Sequence, residues 1–217
     1  MAARIQKDKP IAGRTASKEV RRRQLIEATI TSISKHGISG TTLTTVTKEA
    51  GLSLGLVNFH FETKENLFEQ TLRYLAEEHH ANWKRCFEQA DLAAAEKLKA
   101  IVDSHFHPKI STRKKMTVWF GFYGETGSRK SYRTIVKDID RERWDIALRL
   151  CEEIIRDGNY DMLDAHAVAE TLEALYDGFW LNILMYPGDF TRADGRRLIL
   201  GYLAQTFPKH FEATAVA

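Results

Sequence analysis

Residues 43–61 read LTTVTKEAGLSLGLVNFHF and contain two short segments of helical character separated by Gly51. Two short helices joined by a tight turn that contains glycine form a helix-turn-helix, which places its second helix in the major groove of DNA. We therefore predict one helix from about Thr42 to Ala50, and a second, capped by Ser53, that runs through Phe61. Ordinary helical hairpins give the same pattern, so the rest of the chain has to support this interpretation.

The apolar positions of this segment indicate which sides of the two helices are buried. Packing between the helices is expected for Val46, Ala50, Leu52, Val57 and Phe61. The positions left to face outward, or toward the seam with the rest of the protein, are Leu54, Gly55, Asn58, Phe59 and His60. For the two phenylalanines, Phe59 and Phe61, packing in the core is favoured over contact with DNA.

The remainder of the chain is also predicted to be helical. Its four prolines interrupt no long periodic segment, and no stretch alternates as a strand would. A first helix should run from about Ser17 to His36 and end at Gly37. Thr63 and Asp91 should cap the fourth and fifth helices. Four more helices are predicted within residues 112–127, 131–158, 164–185 and 191–211.

Composition and charge limit the classes of protein to which the chain can belong. The chain has 217 residues and a net charge of +3, but residues 1–66 carry +5, which leaves −2 for residues 67–217. A basic N-terminal part indicates a polyanionic partner. No apolar run is long enough to cross a membrane, and the basic N-terminus lacks the apolar core of a secretory signal. Cys86 and Cys151 form no disulfide framework, so we expect a cytoplasmic protein.

Catalytic and metal-binding patterns are missing from the sequence. His79 and His80 are neighbours on a helix and point about 100° apart, and His105 and His107 straddle a helix end. None of these histidines belongs to a metal-ligand signature, and no serine or cysteine lies in a nucleophile motif. We therefore assign the four histidines structural roles and expect no enzyme, no cofactor and no metal.

Residues 21–68 resemble the N-terminal domain of the TetR family of bacterial transcriptional repressors. The resemblance is carried by a first helix that ends in glycine, two threonines after it, and the string AGLSLGLVNFHFETKENLF at residues 50–68. Thr47 stands where alanine is usual, and Asn58 stands where many members have tyrosine. The second difference alters contacts with bases or phosphates, so the operator sequence of another member does not carry over.

The resemblance implies an all-α protein with two functional parts. A basic arm (residues 1–16) precedes a three-helix DNA-binding domain (residues 17–63), and residues 64–217 form a larger effector-binding and dimerisation domain. Transferred residue by residue, the resemblance implies phosphate contacts for Thr42, Thr44 and Lys64, and contacts with base edges for Leu54 and Gly55. Asn58 and His60 would contact a base or a phosphate. Arg14, Arg21 and Arg22 would lie on the DNA backbone or reach into a minor groove. For His60 an ordinary interface role stays open, and for Arg21 to Arg23 a solvated helix face.

The resemblance further implies a homodimer, formed by the last two helices, that binds a palindromic operator. Two aromatic segments, VWFGFY at 118–123 and ALYDGFWL at 174–181, are similar to the BetI group of the family, the choline-responsive repressors of glycine betaine synthesis. Aromatic faces hold quaternary ammonium groups by cation–π attraction. The predicted ligand-binding residues are Trp119, Phe122, Tyr123, Tyr176, Asp177 and Trp180. Two alternatives remain open: an uncharged hydrophobic ligand, or a constitutive DNA-binding protein without a small ligand.

Overall fold

The computed structural model describes residues 17–88, 92–125, 127 and 130–212, and within them every regular element is an α-helix. The helices are α1 (Lys18–Gly40), α2 (Leu43–Ala50), α3 (Leu54–Phe61), α4 (Lys64–Phe87), α5 (Ala94–His105), α6 (Arg113–Glu125), α7 (Lys130–Gly158), α8 (Ala165–Met185) and α9 (Arg192–Thr206). The all-α prediction is confirmed. None of these helices is both long and apolar enough to cross a membrane.

Local signals in the sequence set the ends of the first helices. In α1 the helical conformation is interrupted at Gly37, which has φ of 70°, and one more turn follows to Gly40. Thr42 and Thr45 form a reciprocal capping box at the start of α2, in which each side chain accepts a hydrogen bond from the other residue's backbone N–H. Gly51 ends α2 in the left-handed conformation, which glycine adopts without steric cost. The predicted helix-turn-helix is therefore present.

The core of the head, α1 to α3, contains the residues that the sequence pattern assigned to it. Val46, Val57 and Phe61 are buried against α1. The prediction that Phe59 belongs to this core is wrong, because 69% of its surface is exposed. Val57 and Phe61 lie four residues apart on the inner face of α3, so Phe59, halfway between them, projects roughly to the opposite side.

The body of the protein consists of α4 to α9. Thr63 caps α4 as predicted and accepts a hydrogen bond from the Asn66 backbone. The predicted cap Asp91 lies outside the described residues; α5 begins at Ala94, and the Glu96 carboxylate accepts from the backbone N–H of Ala93. The largest fully buried side chains of the body include Trp83, Phe122, Tyr132 and Phe207.

Head and body are joined in two ways. The long helix α4 continues directly from α3 after a two-residue turn. In addition, α6 packs on α1, so closely that a Cβ on Gly121 would come within 3.2 Å of Cγ1 of Ile38. The Lys114 ammonium donates to Oγ1 of Thr31 across the same seam. A displacement of α6 would therefore reach the head through packed side chains as well as through α4.

Candidate DNA-binding surface and effector site

The outer face of α3 is apolar and uncharged. Leu54 and Phe59 are 48% and 69% exposed, and Gly55 and Asn58 lie beside them on the same outward side. The eight residues of α3 include no Lys, Arg, Asp or Glu. Of the five residues left to face outward or toward the seam, Leu54, Gly55, Asn58 and Phe59 are exposed and His60 is half-buried.

Candidate phosphate contacts lie at two helix starts. Thr42 and Thr44 are exposed at the N-terminus of α2, where unpaired backbone N–H groups and the helix dipole attract anions. Lys64 is the first residue of α4, with its ammonium 5.0 Å from the centre of the Phe68 ring. These positions can receive phosphates on either side of the groove that α3 would enter.

Arg21 and Arg22, two of the three arginines predicted to contact DNA, form hydrogen bonds within the protein. Arg22 donates to the backbone carbonyl of His60 at 3.2 Å and to Oε1 of Gln70 at 2.6 Å, and its guanidinium lies over the Phe61 ring. It therefore ties α1 to α3 and α4. Arg21 donates to Oε1 of Gln24 at 2.9 Å. Arg14, the third predicted arginine, lies outside the described residues.

His60 is half-buried at the end of α3. Its Nδ1 is buried and has no hydrogen-bond partner in the part of the chain that the structure describes. Burial, and after it the charges of Lys18 and Arg22, lower the pKa of His60 below its ordinary value. At neutral pH the side chain is thus a neutral hydrogen-bonding group and adds no positive charge to α3.

A second site lies at the centre of the body, where five helices converge. Its lining comprises His79, His105, Trp119, Tyr123, Asp140, Arg143, Glu173, Tyr176, Asp177 and Trp180. Five of the six residues predicted to bind a ligand are among them. The sixth, Phe122, lines a neighbouring cavity of about 300 Å³, and Tyr123 borders both spaces. The central site is nearly closed, with a volume of about 20 Å³.

Three carboxylates surround a single guanidinium in this site. Arg143 donates to Glu173 through Nη2 at 2.5 Å and Nε at 3.2 Å, and to Asp140 through Nη1 at 3.2 Å. Burial alone would raise the pKa of Glu173, but the charge and hydrogen bonds of Arg143 bring it below its ordinary value. Burial raises the pKa of Asp177, at the edge of the site, to about 6. At pH 7 the carboxylates outnumber the one cation.

Two histidines complete the opposite wall. The His105 ring stacks on Tyr176 with centroids 3.8 Å apart and meets His79 edge to face at 4.8 Å. His105 donates through Nδ1 to the Ile101 carbonyl, and its own carbonyl accepts from Nε1 of Trp180 at 3.1 Å. Burial lowers the pKa of His105 to about 4 and that of His79 well below its ordinary value, so both rings are neutral at pH 7.

Two polar atoms in this wall have no hydrogen-bond partner among the described residues. Nε2 of His79 and the hydroxyl of Tyr176 are buried and form no hydrogen bond. An unpaired buried polar group costs about 1–3 kcal/mol, and such groups mark places where a ligand supplies the missing partner. Among the described residues, no group of three or more His, Cys, Asp or Glu side chains is arranged to hold a metal ion.

The sequence analysis missed half of this lining. His79 and His105 were expected to have structural roles only, and Asp140, Arg143 and Glu173 had no predicted role. A signal existed for Glu173, which lies one helical turn before Asp177 and so shares its face of α8. The others come from α4, α5 and α7, and no local pattern shows that these helices converge.

Comparison with known proteins assigns both parts of the chain to known families of domains. Residues 25–71 match the model of bacterial regulatory proteins of the tetR family, and residues 94–208 match the C-terminal domain of BetI-type transcriptional repressors. The chain is 30% identical to the HTH-type transcriptional regulator BetI of Burkholderia thailandensis, over 86% of this chain and 93% of that protein. The chain belongs to the TetR family. Within it, the body is of the BetI type, and the members to which the chain is similar are DNA-binding transcriptional regulators.

Solved structures of transcriptional regulators share the fold. A transcriptional regulator from Pseudomonas aeruginosa PAO1 superposes with a TM-score of 0.76 at 23% identity, covering 94% of this chain and all of that one. A regulator from Saccharomonospora viridis, solved in complex with choline, gives a TM-score of 0.72 at 19% identity, covering 85% of this chain and 96% of that one. At these identities the comparison establishes the fold alone.

Proposed function

We propose that the protein is a homodimeric repressor that binds a palindromic operator and releases it when a small organic cation, choline or another quaternary amine, enters the central site. The observation that carries the proposal is the excess of carboxylates over cations at an aromatic site, where Asp140 and Asp177 lie at the solvent-exposed rim. Trp119, Tyr123 and Trp180 supply the ring faces, and Asp177 and Asp140 supply negative charge that Arg143 does not fully compensate. Cation–π attraction contributes about 0.5–2 kcal/mol per ring.

The unpartnered atoms indicate a second feature of the ligand. A ligand hydroxyl can donate to Nε2 of His79 and accept from the Tyr176 hydroxyl, which would pair both buried groups. A ligand carboxylate, by contrast, would be repelled by the carboxylates of Asp140, Glu173 and Asp177. A cation that carries a hydroxyl therefore suits the site better than a zwitterion. The choline complex of the Saccharomonospora viridis regulator, which has the same fold, supports this ligand class.

Ligand entry has to enlarge the site, because a volume of about 20 Å³ holds no more than a water molecule. Tyr123 borders both this site and the neighbouring 300 Å³ cavity, and 37% of its surface is exposed. Rotation of its ring would join the two spaces. Tyr123 and Trp119 both belong to α6, so the enlargement displaces the helix that packs on α1 through Gly121 and Ile38.

This contact gives the ligand a mechanical route to the head. Both α4, which carries His79, and α6, which carries Trp119 and Tyr123, line the central site and pack on α1. The ligand favours the conformation in which the two heads of the dimer no longer match successive major grooves, about 34–36 Å apart. A coupling free energy of about 1–3 kcal/mol weakens operator binding by roughly 5- to 150-fold.

The dimer interface is proposed on the outer faces of α8 and α9. Leu181, Met185 and Leu198 are exposed there. Gly178 and Gly201 lie in helix interiors, where glycine costs about 1 kcal/mol relative to alanine, and a Cβ on either would meet nothing within 4 Å. Packing within the chain therefore does not require these glycines. The glycines would be required if α8 and α9 of a second copy approached closely, and the four helices would then form a bundle.

The 300 Å³ cavity favours one alternative effector. Its lining is largely apolar and consists of Leu72, Phe122, Tyr123, Gly127, Tyr132, Arg133 and Val136. An uncharged hydrophobic molecule would fit this chemistry, and it would act through Tyr123 in the same way.

Calorimetric titration with four matched ligands tests the proposed effector. Choline should bind tighter than tetramethylammonium, which lacks the hydroxyl, and both should bind tighter than glycine betaine, which carries a carboxylate. The uncharged isostere 3,3-dimethylbutan-1-ol should bind most weakly. If the isostere binds as tightly as choline, the hydrophobic alternative replaces the cation, and if none of the four binds, the site is not an amine site.

A pair of variants locates the binding in the protein. Trp180→Ala should weaken choline binding by about 2- to 30-fold, the loss of one cation–π contact. Trp144→Ala is the matched control, since Trp144 packs on His166 and lies outside the central site. Equal affinities for both variants would remove Trp180 from the proposed cage.

A further inference from the structure

We infer that α3 reads A·T base pairs through the methyl groups of thymine, with Leu54 and Phe59 as the contacting side chains. The inference rests on the operator binding proposed above and goes beyond it, because it names which bases are read and by which chemistry. Four features of the head support it: the missing charge on α3, the exposure of two large apolar side chains, an open glycine between them, and a flanking cation.

The absence of charge on α3 excludes the commonest way to read guanine. Arginine or lysine donates to O6 and N7 of guanine in the major groove, and Asp or Glu accepts from cytosine. The sequence of α3, LGLVNFHF, contains none of these residues, and lowering of the His60 pKa keeps that side chain neutral. Asn58 is the one exposed amide on the helix, and asparagine pairs with N6 and N7 of adenine.

The exposed apolar side chains fit the remaining feature of an A·T pair. Leu54 is 48% exposed and Phe59 is 69% exposed, on a helix of eight residues. Leaving them in water is unfavourable, so a partner that covers them gains binding free energy. The floor of the major groove offers one apolar group, the C5-methyl of thymine. Leu54 lies in the first turn of α3 and Phe59 in the second, so they would contact different base pairs.

Gly55 shows that this face is shaped for close contact. A Cβ at Gly55 would meet only Oγ of Ser53, at 3.9 Å, which is ordinary van der Waals contact. Neither packing nor backbone conformation within the chain requires glycine there, although it lowers helix stability by about 1 kcal/mol. A backbone that approaches base edges directly does require it. Gly55 lies next to Leu54, so the close approach of its backbone would also bring the Leu54 side chain near the groove floor.

Positive charge borders the apolar face instead of interrupting it. The ammonium of Lys18 lies 5.8 Å from the centre of the Phe59 ring, at the start of α1. Lys64 and the N-terminus of α2 offer further anion-binding groups outside α3. An apolar strip flanked by cations matches a groove floor flanked by phosphates, so we assign binding strength to the flanks and base selection to Leu54 and Phe59.

The test begins with selection of operators from a duplex pool randomised over 20 base pairs, using the full-length wild-type protein. We expect half-sites in which A·T pairs occupy the positions next to α3. Each selected thymine is then replaced by deoxyuridine, which lacks only the methyl group. Loss of one buried methyl should weaken binding about four-fold, and loss in both half-sites about fifteen-fold. Thymines outside the half-sites serve as the matched control and should tolerate the change.

Two variants assign each methyl to its side chain. Leu54→Ala should abolish the effect of deoxyuridine at one thymine and leave it intact at the other, and Phe59→Ala should do the reverse. Both residues are exposed, so neither change should alter the unfolding midpoint. Half-sites rich in G·C pairs, or deoxyuridine without effect at every thymine, would overturn the inference while leaving operator binding in place. A pool in which no sequence is enriched contradicts sequence-specific operator binding itself, and the inference with it.

Discussion

The outer face of α3 and the central site of the body invert the usual distribution of residues in opposite ways. On α3 large apolar side chains stay in water without a charge among them, whereas in the body the charged pair Arg143 and Glu173 is largely withdrawn from water. Each arrangement lowers stability on its own. The difference teaches that each region is complementary to a different partner: an apolar strip within a polyanion for one, and a small cation for the other.

The largest expected effect is a loss of stability when the central site loses its arginine. Arg143→Met removes the one guanidinium of the site and leaves the largely buried Glu173, and the half-exposed Asp140, without their partner. We expect a loss of about 3–5 kcal/mol in the free energy of unfolding, measured by urea denaturation. Arg196→Ala breaks a half-exposed pair with Asp103 and should cost no more than about 1 kcal/mol. Equal losses for the two variants would show that the central cluster is not electrostatically strained.

A substitution on the outer face of α3 should, by contrast, weaken operator binding without lowering the stability of the protein. Gly55→Ala should weaken operator binding on the order of ten-fold, because the added methyl keeps the backbone from the base edges. Unfolding should be unchanged or up to about 1 kcal/mol less favourable, since alanine is the better helix former. Gly124→Ala is the matched control, because a Cβ there would meet nothing within 4 Å and the position lies on α6 of the body rather than on α3. Normal operator affinity in Gly55→Ala would remove this position from the interface.

The charge of the central site can be titrated. The pKa of Asp177 in the free protein is about 6, raised by burial and by Glu173 and Asp140 against the opposing effect of Arg143. A cation prefers the ionised carboxylate, so choline affinity should be constant above pH 7 and fall as the pH drops through 6, by up to about ten-fold at pH 5. His105, with a pKa of about 4, stays neutral over this range.

A matched pair of variants isolates that titration. Asp177→Asn should bind choline weakly at every pH and lose the dependence between pH 5 and 7. Asp145→Asn, at an exposed position of α7, should behave as the wild type. Calorimetric affinities that fall equally with pH in all three proteins would assign the titration to another group.

The smallest expected effect concerns the flanks of α3. Lys64→Ala should weaken binding to every DNA sequence alike and lower the slope of log K against log salt by about 0.9, the release of one counterion. Operator titrations between 50 and 200 mM salt measure this slope. The variant should leave the base preference of α3 unchanged, and an altered preference would mean that Lys64 contacts a base.

The sequence predicted the head far better than the central site, for a physical reason. Helix starts at Thr42 and Thr63 and the stop at Gly51 depend on contacts within a few residues, so they are readable from local sequence. Phe59 was misassigned because its apolar character was taken as a sign of burial. It lies two residues from both Val57 and Phe61, so it is on the opposite side of the helix and faces outward. Exposure of an apolar residue is a property of the face, not of the residue type.

The pairing of His79 with His105 shows what local sequence cannot contain. The two residues are separated by 26 positions and meet because α4 and α5 pack side by side. Arg143 reaches the same point from α7, and its partner Glu173 is 30 positions away in α8. Such convergence is set by tertiary packing, whereas the aromatic segments on α6 and α8 were visible because each is contiguous.

The central claim is that occupancy of the central site changes the affinity of α3 for DNA. Fluorescence anisotropy of a labelled operator duplex, titrated with protein in the absence and presence of saturating choline, tests it most directly. The account predicts tight binding without choline and binding weakened by about 5- to 150-fold with it. Operator affinity that stays constant while calorimetry shows choline bound to the same protein would contradict the account.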